Sequence, residues 1–195
     1  MPLFSGVSVD LRGGDILQVV GPNGIGKTTL IKMLASVLAP TGGELLWGGR
    51  KVSRATFDYL SELIFIGHLS GISATLTPRE NLAWWLKVQG IRHDNLDEVF
   101  LGIDLAGLAD RPCYTLSAGQ WRRAALARLL ACDCRVWLLD EPFTAIDRQG
   151  SELLTQLMVK HAEEGGMVIF SSHQDAAIGG ALRLDLQDFR SGVAD

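Results

Sequence analysis

Gly21-Pro22-Asn23-Gly24-Ile25-Gly26-Lys27-Thr28-Thr29 follows the apolar run Ile16 to Val20 and leads straight into a helical pattern that begins at Lys27. A glycine, four residues and then Gly-Lys-Thr, set between a strand and a helix, is the pattern of a phosphate-binding loop. The glycines let backbone N–H groups turn toward a phosphate chain, and the helix N-terminus adds positive potential. Lys27 is placed to reach the β and γ phosphates, and Thr28 offers an oxygen to Mg²⁺. A glycine-rich turn with a surface lysine is the plainer reading, and the flanking strand and helix count against it.

Outward from this loop, short apolar runs alternate with helical patterns. Glu44 to Trp47, Leu63 to Ile66, Arg135 to Leu139, Met167 to Ser171 and Leu182 to Leu186 read as further strands. The helix from Lys27 is expected to reach Leu38, before Pro40-Thr-Gly-Gly, and another is expected over Asp147 to Glu164, stopped by Gly165-Gly166. This alternation is an α/β pattern. Between Gly67 and Thr115 strand signals vanish, and Thr77-Pro78-Arg79-Glu80 supplies an N-cap, a proline at the first helical position and a capping-box glutamate. The expectation is one domain over 1–195 with a small helical subdomain at about 68–133.

The chain has 195 residues, enough for one domain with a sizeable core. Its 47% hydrophobic content and mean hydropathy of +0.19 exclude disorder and suggest a partner surface. Net charge is −4 and no block of five basic residues occurs, which argues against a nucleic-acid partner. No apolar run approaches the roughly 18 to 20 residues that span a bilayer. The N-terminal residues lack the basic and apolar regions of a secretory signal, so the expected place is the cytoplasm. Three cysteines, Cys113, Cys132 and Cys134, make neither a disulfide framework nor a four-ligand zinc site; Cys132 and Cys134 read as small core side chains entering a strand.

Two further constellations carry chemistry. Val136-Trp137-Leu138-Leu139 ends in Asp140-Glu141, two carboxylates at the edge of the sheet where open α/β folds bind ligands. Asp140 is the candidate metal residue and Glu141 the candidate general base, although such a pair can also be a helix cap or a solvated turn. Leu116-Ser117-Ala118-Gly119-Gln120 precedes a helical pattern read as Trp121 to Cys132, with Ser117 as N-cap and Gln120 closing a capping box. It is a cap at least, and Ser117, the Gly119 N–H and the helix dipole together also make an anion site.

In this order and spacing, Gly21 to Thr29, Leu116 to Gln120, Leu138 to Pro142, Ala145-Ile146-Asp147 and His173 resemble the Walker A, signature, Walker B, D-loop and switch-histidine motifs of ABC-type ATPases. The resemblance covers nearly the whole chain and implies a P-loop NTPase fold of ABC ATPase type, with a mainly parallel sheet core. It also implies a head-to-tail dimer in which each ATP lies between one copy's phosphate loop and the other's Leu-Ser-Ala-Gly-Gln helix. Lys27, Ser117 and Gly119 would then neutralise γ-phosphate charge, Glu141 and His173 would position water, and Asp147 would cross the interface. His173 taken alone is an ordinary loop histidine; its place 32 residues after Glu141 favours the switch role.

Two departures narrow the family. ABC ATPases usually carry a glutamine near Mg²⁺ at the end of the strand read as Leu63 to Ile66, and His68 stands there, a third candidate metal contact. The aromatic that usually stacks on adenine belongs ahead of Leu3, so the natural start is expected further upstream. With Phe65-Ile66-Gly67-His68, Gly71-Ile72, Leu76-Thr77, Glu80-Asn81-Leu82 and Leu139 to Asp147, the chain is similar to the ATP-binding subunit of cytochrome c maturation (heme exporter type) transporters. That resemblance implies a peripheral ATPase on the cytoplasmic side of the inner membrane, docked on integral membrane subunits and coupling hydrolysis to heme export or release of a heme chaperone. Another exporter, of lipid or drug, and a soluble ATPase of iron-sulfur cluster assembly are the alternatives. Trp84-Trp85 sit about 100° apart on one helix: either both span a broad buried face, or one is exposed and meets a membrane partner.

Overall fold

Every residue of β1 (Ile16–Val20) is buried. A strand buried on both faces belongs inside a parallel sheet covered on both sides, and β1 does pair in parallel with two neighbours. The computed structural model describes residues 2–69, 71–173 and 178–190. In chain order its main elements are β1, α1 (Lys27–Leu34), the hairpin β2 (Leu46–Trp47) and β3 (Arg50–Lys51), α2 (Thr56–Ser61) and β4 (Leu63–Ile66). There follow α3 (Pro78–Gln89), α4 (Leu96–Gly102), α5 (Ala118–Ala131), β5 (Val136–Leu139), α6 (Arg148–Glu163), β6 (Met167–Ser171) and β7 (Leu182–Asp185). The sheet runs β4-β5-β6-β1-β7, with β5 on β6, β6 on β1 and β1 on β7 all parallel.

The described residues pack as two compact units. One takes in the chain up to Phe65, 134–142 and Met158 onward. Leu17, Val19, Ile31, Leu138, Ile169 and Leu186 form its core. There Trp137 stacks on His161, ring centroids 3.9 Å apart and planes within 8°. The other unit takes in 66–133 and 143–157, with a core of Leu82, Leu86, Val99, Phe100 and Ala127 from α3, α4 and α5 and of Leu105 just past α4.

Local chemistry explains where elements end. The helix expected to reach Leu38 stops at Leu34, because Ser36 turns left-handed (φ 55°). Ser36 N–H then bonds Met33 O and Val37 N–H bonds Lys32 O, a Schellman closure ahead of the Pro-Gly signal. Asp147 lies just outside α6 as its cap, its Oδ1 accepting from Gly150 N–H at 2.7 Å. Ser117 caps α5 with the reciprocal Gln120 bond, so the helix starts at Ala118, earlier than the expected Trp121. The Thr77–Glu80 capping box on α3 is present as read. β2, β5 and β7 are each shorter than expected: Glu44 and Leu45 precede the hairpin, Arg135 precedes β5, and Leu186 begins a 3₁₀ turn. Cys132 and Cys134 are corrected too: both lie half-buried in the turn before β5 and are not strand core. Cys113 is buried, and burial pushes its thiol pKa above the usual range.

Asn81 knots the second unit. Buried on α3, its Oδ1 accepts from Ser73 N–H at 2.7 Å. Its Nδ2 donates to Ser73 O and Thr77 O at 3.0 Å and faces Cys113 Sγ at 3.4 Å. Cys113 N–H and Tyr114 N–H in turn bond Leu76 O and Ala74 O, so the loop 71–77 is stitched to both α3 and the segment leading to Ser117. Asn81→Leu would strand Ser73 N–H without a partner, and the expected loss is about 2 to 3 kcal/mol in urea unfolding with the m-value unchanged.

Candidate functional site

The phosphate loop is shaped by three positive-φ glycines, Gly21 (137°), Gly24 (82°) and Gly26 (115°). Gly26 has a second reason to lack a side chain: a Cβ there would lie 2.8 Å from Phe4 Cε1. Pro22, Asn23 and Gly24 form an exposed rim, Ile25 anchors the loop in the core, and Thr28 and Thr29 stand half-buried on the first turn of α1. No side chain caps that helix at Gly26, and the backbone N–H groups of a helix's first turn are donors for an anion. Lys27 is only 6% exposed. Its ammonium folds back under the loop, donating to Gly21 O at 2.8 Å and Pro22 O at 3.4 Å, 3.7 Å from Glu141 Oε1.

The parallel register brings the carboxylates to this loop. Leu139 pairs with Phe170, so the next residues, Asp140 and Ser171, stand side by side at the ends of β5 and β6. Asp140, 1% exposed, accepts on Oδ1 from Ser171 Oγ at 2.7 Å and from Thr28 Oγ1 at 3.0 Å. A hydroxyl and a buried carboxylate at this separation are hard oxygen donors, the set Mg²⁺ takes when water and phosphate complete its shell; the residues fit that ion. Glu141 carries the strain of the site at φ 50°. Its N–H donates to Ser171 Oγ at 2.8 Å, and its Oε2 lies 2.9 Å from His173 Nδ1. One carboxylate thus faces an ammonium on one oxygen and an imidazole on the other. Lys27, Thr28, Asp140, Glu141 and His173 are brought together as the sequence led one to expect.

Sequence reasoning missed Ser171, whose one hydroxyl serves both carboxylate residues. The signal is a hydroxyl closing the apolar strand Met167-Val-Ile-Phe, the first of the pair Ser171-Ser172.

In the second unit Ser117, Gly119, Gln120 and Asp147 also come together. Ser117 and Gln120 are spent on the α5 capping box, while Gly119 lies so close to Asp147 that a Cβ would fall 3.2 Å from Asp147 Oδ2. Arg123, 5% exposed on α5, reaches Asp147 Oδ2 at 3.7 Å. It was the other residue sequence reasoning passed over. His68 is exposed, and its backbone oxygen receives Arg122 Nη1 at 3.4 Å. On α3, Trp84 is 60% exposed while Trp85 packs on the core beneath Arg128, so the two do not share one buried face. Among the described residues no cluster of three or more His, Cys, Asp or Glu offers a separate metal site.

Comparison with known proteins agrees with this geometry. The ABC transporter family model matches residues 4–144. The chain is 43% identical over 176 residues to the cytochrome c biogenesis ATP-binding export protein CcmA of Shewanella frigidimarina, spanning 90% of this chain and 82% of that one. It is also 43% identical over 187 residues to CcmA of Rhodospirillum rubrum, spanning 96% and 80%. Its fold superposes on MJ0796, a bacterial ABC transporter cassette solved as a dimer, with a TM-score of 0.80 at 25% identity, covering 94% of this chain and 87% of that one. An ATP-binding protein from Pyrococcus furiosus gives a TM-score of 0.85 at 23% identity, covering 98% and 94%, a likeness of fold. A P-loop ending under Lys27, a carboxylate pair at the sheet edge and relatives of this similarity agree: the chain belongs to the ABC transporter family of ATP-binding proteins and, within it, to the cytochrome c biogenesis ATP-binding export proteins.

Proposed function

We propose that this chain is the ATP-hydrolysing subunit of a membrane export complex for cytochrome c biogenesis, coupling hydrolysis to heme export or to release of a heme chaperone. The observation that carries the enzymatic reading is Glu141, held between Lys27 Nζ at 3.7 Å and His173 Nδ1 at 2.9 Å. The identity to the Shewanella and Rhodospirillum proteins supports the cytochrome c reading over a lipid or drug exporter or an iron-sulfur assembly ATPase.

Gly21 to Thr29 cradle the phosphates of ATP on backbone N–H groups, and the Lys27 ammonium neutralises charge on the β and γ phosphates. Glu141 accepts the proton of the attacking water, and His173 and Lys27 fix where its two oxygens point. Mg²⁺, when bound, shields phosphate charge; Thr28 and Asp140 would hold it, with His68 as a further candidate contact. Ser117, Gly119, Gln120 and Asp147 serve the nucleotide of a second copy in a head-to-tail, ATP-dependent homodimer. Residues 1–195 act as a single ABC ATPase domain whose helical subdomain spans about 68–133. The subunit works at the cytoplasmic side of the inner membrane as a peripheral partner of integral membrane subunits, with no nucleic acid. No described helix is long and apolar enough to cross a membrane, and exposed Trp84 is the contact offered to those subunits.

Glu141→Gln should cut kcat about 100-fold or more while ATP stays bound. Captured from detergent-solubilised cells, it should bring down polytopic heme-handling membrane proteins. Recovery of soluble scaffold proteins alone would move the chain out of transport. Ser171→Ala should fold normally yet lower kcat/KM for Mg-ATP about tenfold, the cost of one charge-assisted hydrogen bond; unchanged kinetics would make Ser171 a packing residue only. Trp84→Ala should keep ATPase activity and lose membrane association, and retained association would remove Trp84 from the docking surface.

A further inference from the structure

Arg123 joins three separate segments of the second unit. Its Nη1 donates to Asp104 Oδ2 at 2.7 Å and to Asp104 O at 3.2 Å, just past the end of α4, and reaches Ile103 O at 3.5 Å. Its Nη2 lies 3.7 Å from Asp147 Oδ2 in the loop before α6. The guanidinium itself belongs to α5, about one turn past Gly119 and under two turns past Ser117. Its Nε is buried with no hydrogen-bond partner, so the side chain is held by its two Nη groups. Gln149 Nε2 donates to the same Asp104 oxygen at 3.0 Å, bracing the arrangement from α6.

Asp147 is thereby held on every side that the second unit offers. Gly150 N–H donates to its Oδ1, Arg123 faces its Oδ2, and Gly119 lies so close that a Cβ there would be in tight contact with it. The preceding Ala145 is left-handed at φ 60°, a conformation that needs outside restraint in a non-glycine residue. Burying a guanidinium is costly unless its charge is answered, and here the two answering carboxylates come from different segments. We propose that Arg123 is the positioning residue for Asp147: it ties the Asp147 loop to the helix that carries Ser117 and Gly119, so that both face a second copy as one preset surface. The inference rests on the reading of Asp147 and the α5 N-terminus as parts of a shared site. Only a planar fork can serve Asp104 and Asp147 together; a lysine ammonium keeps the charge but reaches one of them at a time.

The test is a double-mutant cycle on ATP hydrolysis by the full chain. Arg123→Lys should lower kcat about tenfold with KM for ATP held within about twofold. In an Asp147→Ala background the same change should alter kcat by less than about twofold. Equal losses in both backgrounds, or no loss in the first, overturn the proposal. Asp147→Ala alone checks the reading beneath it: wild-type turnover in that variant removes both the shared-site role of Asp147 and the proposal. If Arg123→Lys fails to fold, Asp104→Asn takes its place, since Asp104 is exposed and left-handed at φ 55°, a conformation asparagine accepts. It should stay folded and lower kcat about threefold only where Asp147 is present, and an equal fold-loss in both backgrounds overturns the proposal.

Discussion

A single carboxylate oxygen organises the catalytic end of the sheet. Asp140 Oδ1 receives hydroxyls from Thr28, on the first turn of α1, and from Ser171, at the end of β6. A carboxyl group at 1% exposure needs hydrogen-bond donors of this kind. Satisfying it therefore fixes the start of α1, the end of β5 and the end of β6 against one another. The parallel register does the coarse alignment, pairing Leu139 with Phe170 and Val19 with Ser171, and the hydroxyls do the fine one. Lys27, Glu141 and His173 inherit their positions from that arrangement.

The second unit solves a different problem with cations. Helix α5 is lined with alanines and leucines that pack tightly, yet Arg122, Arg123 and Arg128 also point from it into structure. Each meets main-chain oxygens of a neighbouring loop: Gly67 and His68 for Arg122, Ile103 and Asp104 for Arg123, Gly71 for Arg128. Loops whose carbonyls have no regular partner are thus finished by one helix. With Asn81 stitching 71–77, the irregular segments around α5 are held by hydrogen bonds as much as by apolar packing.

Features governed by neighbours along the chain were legible in the sequence. The phosphate loop, the capping boxes at Thr77 and Ser117, and the glycine stop after α6 each need only a few adjacent residues, and the inner strands β5 and β6 stood out because burial makes them almost continuously apolar; the short polar strand β3 carried no such signal. The Schellman turn that ends α1 at Leu34 was hidden because serine, at Ser36, takes a conformation usually left to glycine. The roles of Ser171 and Arg123 depend on partners about 30 and 20 residues away, and no local pattern marks such a pairing. The Cys132/Cys134 pair shows the converse, in which a suggestive spacing stands in an ordinary turn.

The left-handed backbone at Glu141 carries a design consequence as well as a geometry. At φ 50° a glycine would relax the turn, and general propensities put the gain at about 1 kcal/mol. Under the catalytic role proposed for Glu141, that gain would be made at the expense of turnover. A stabilisation campaign on this scaffold would therefore meet a conflict of interest at that residue.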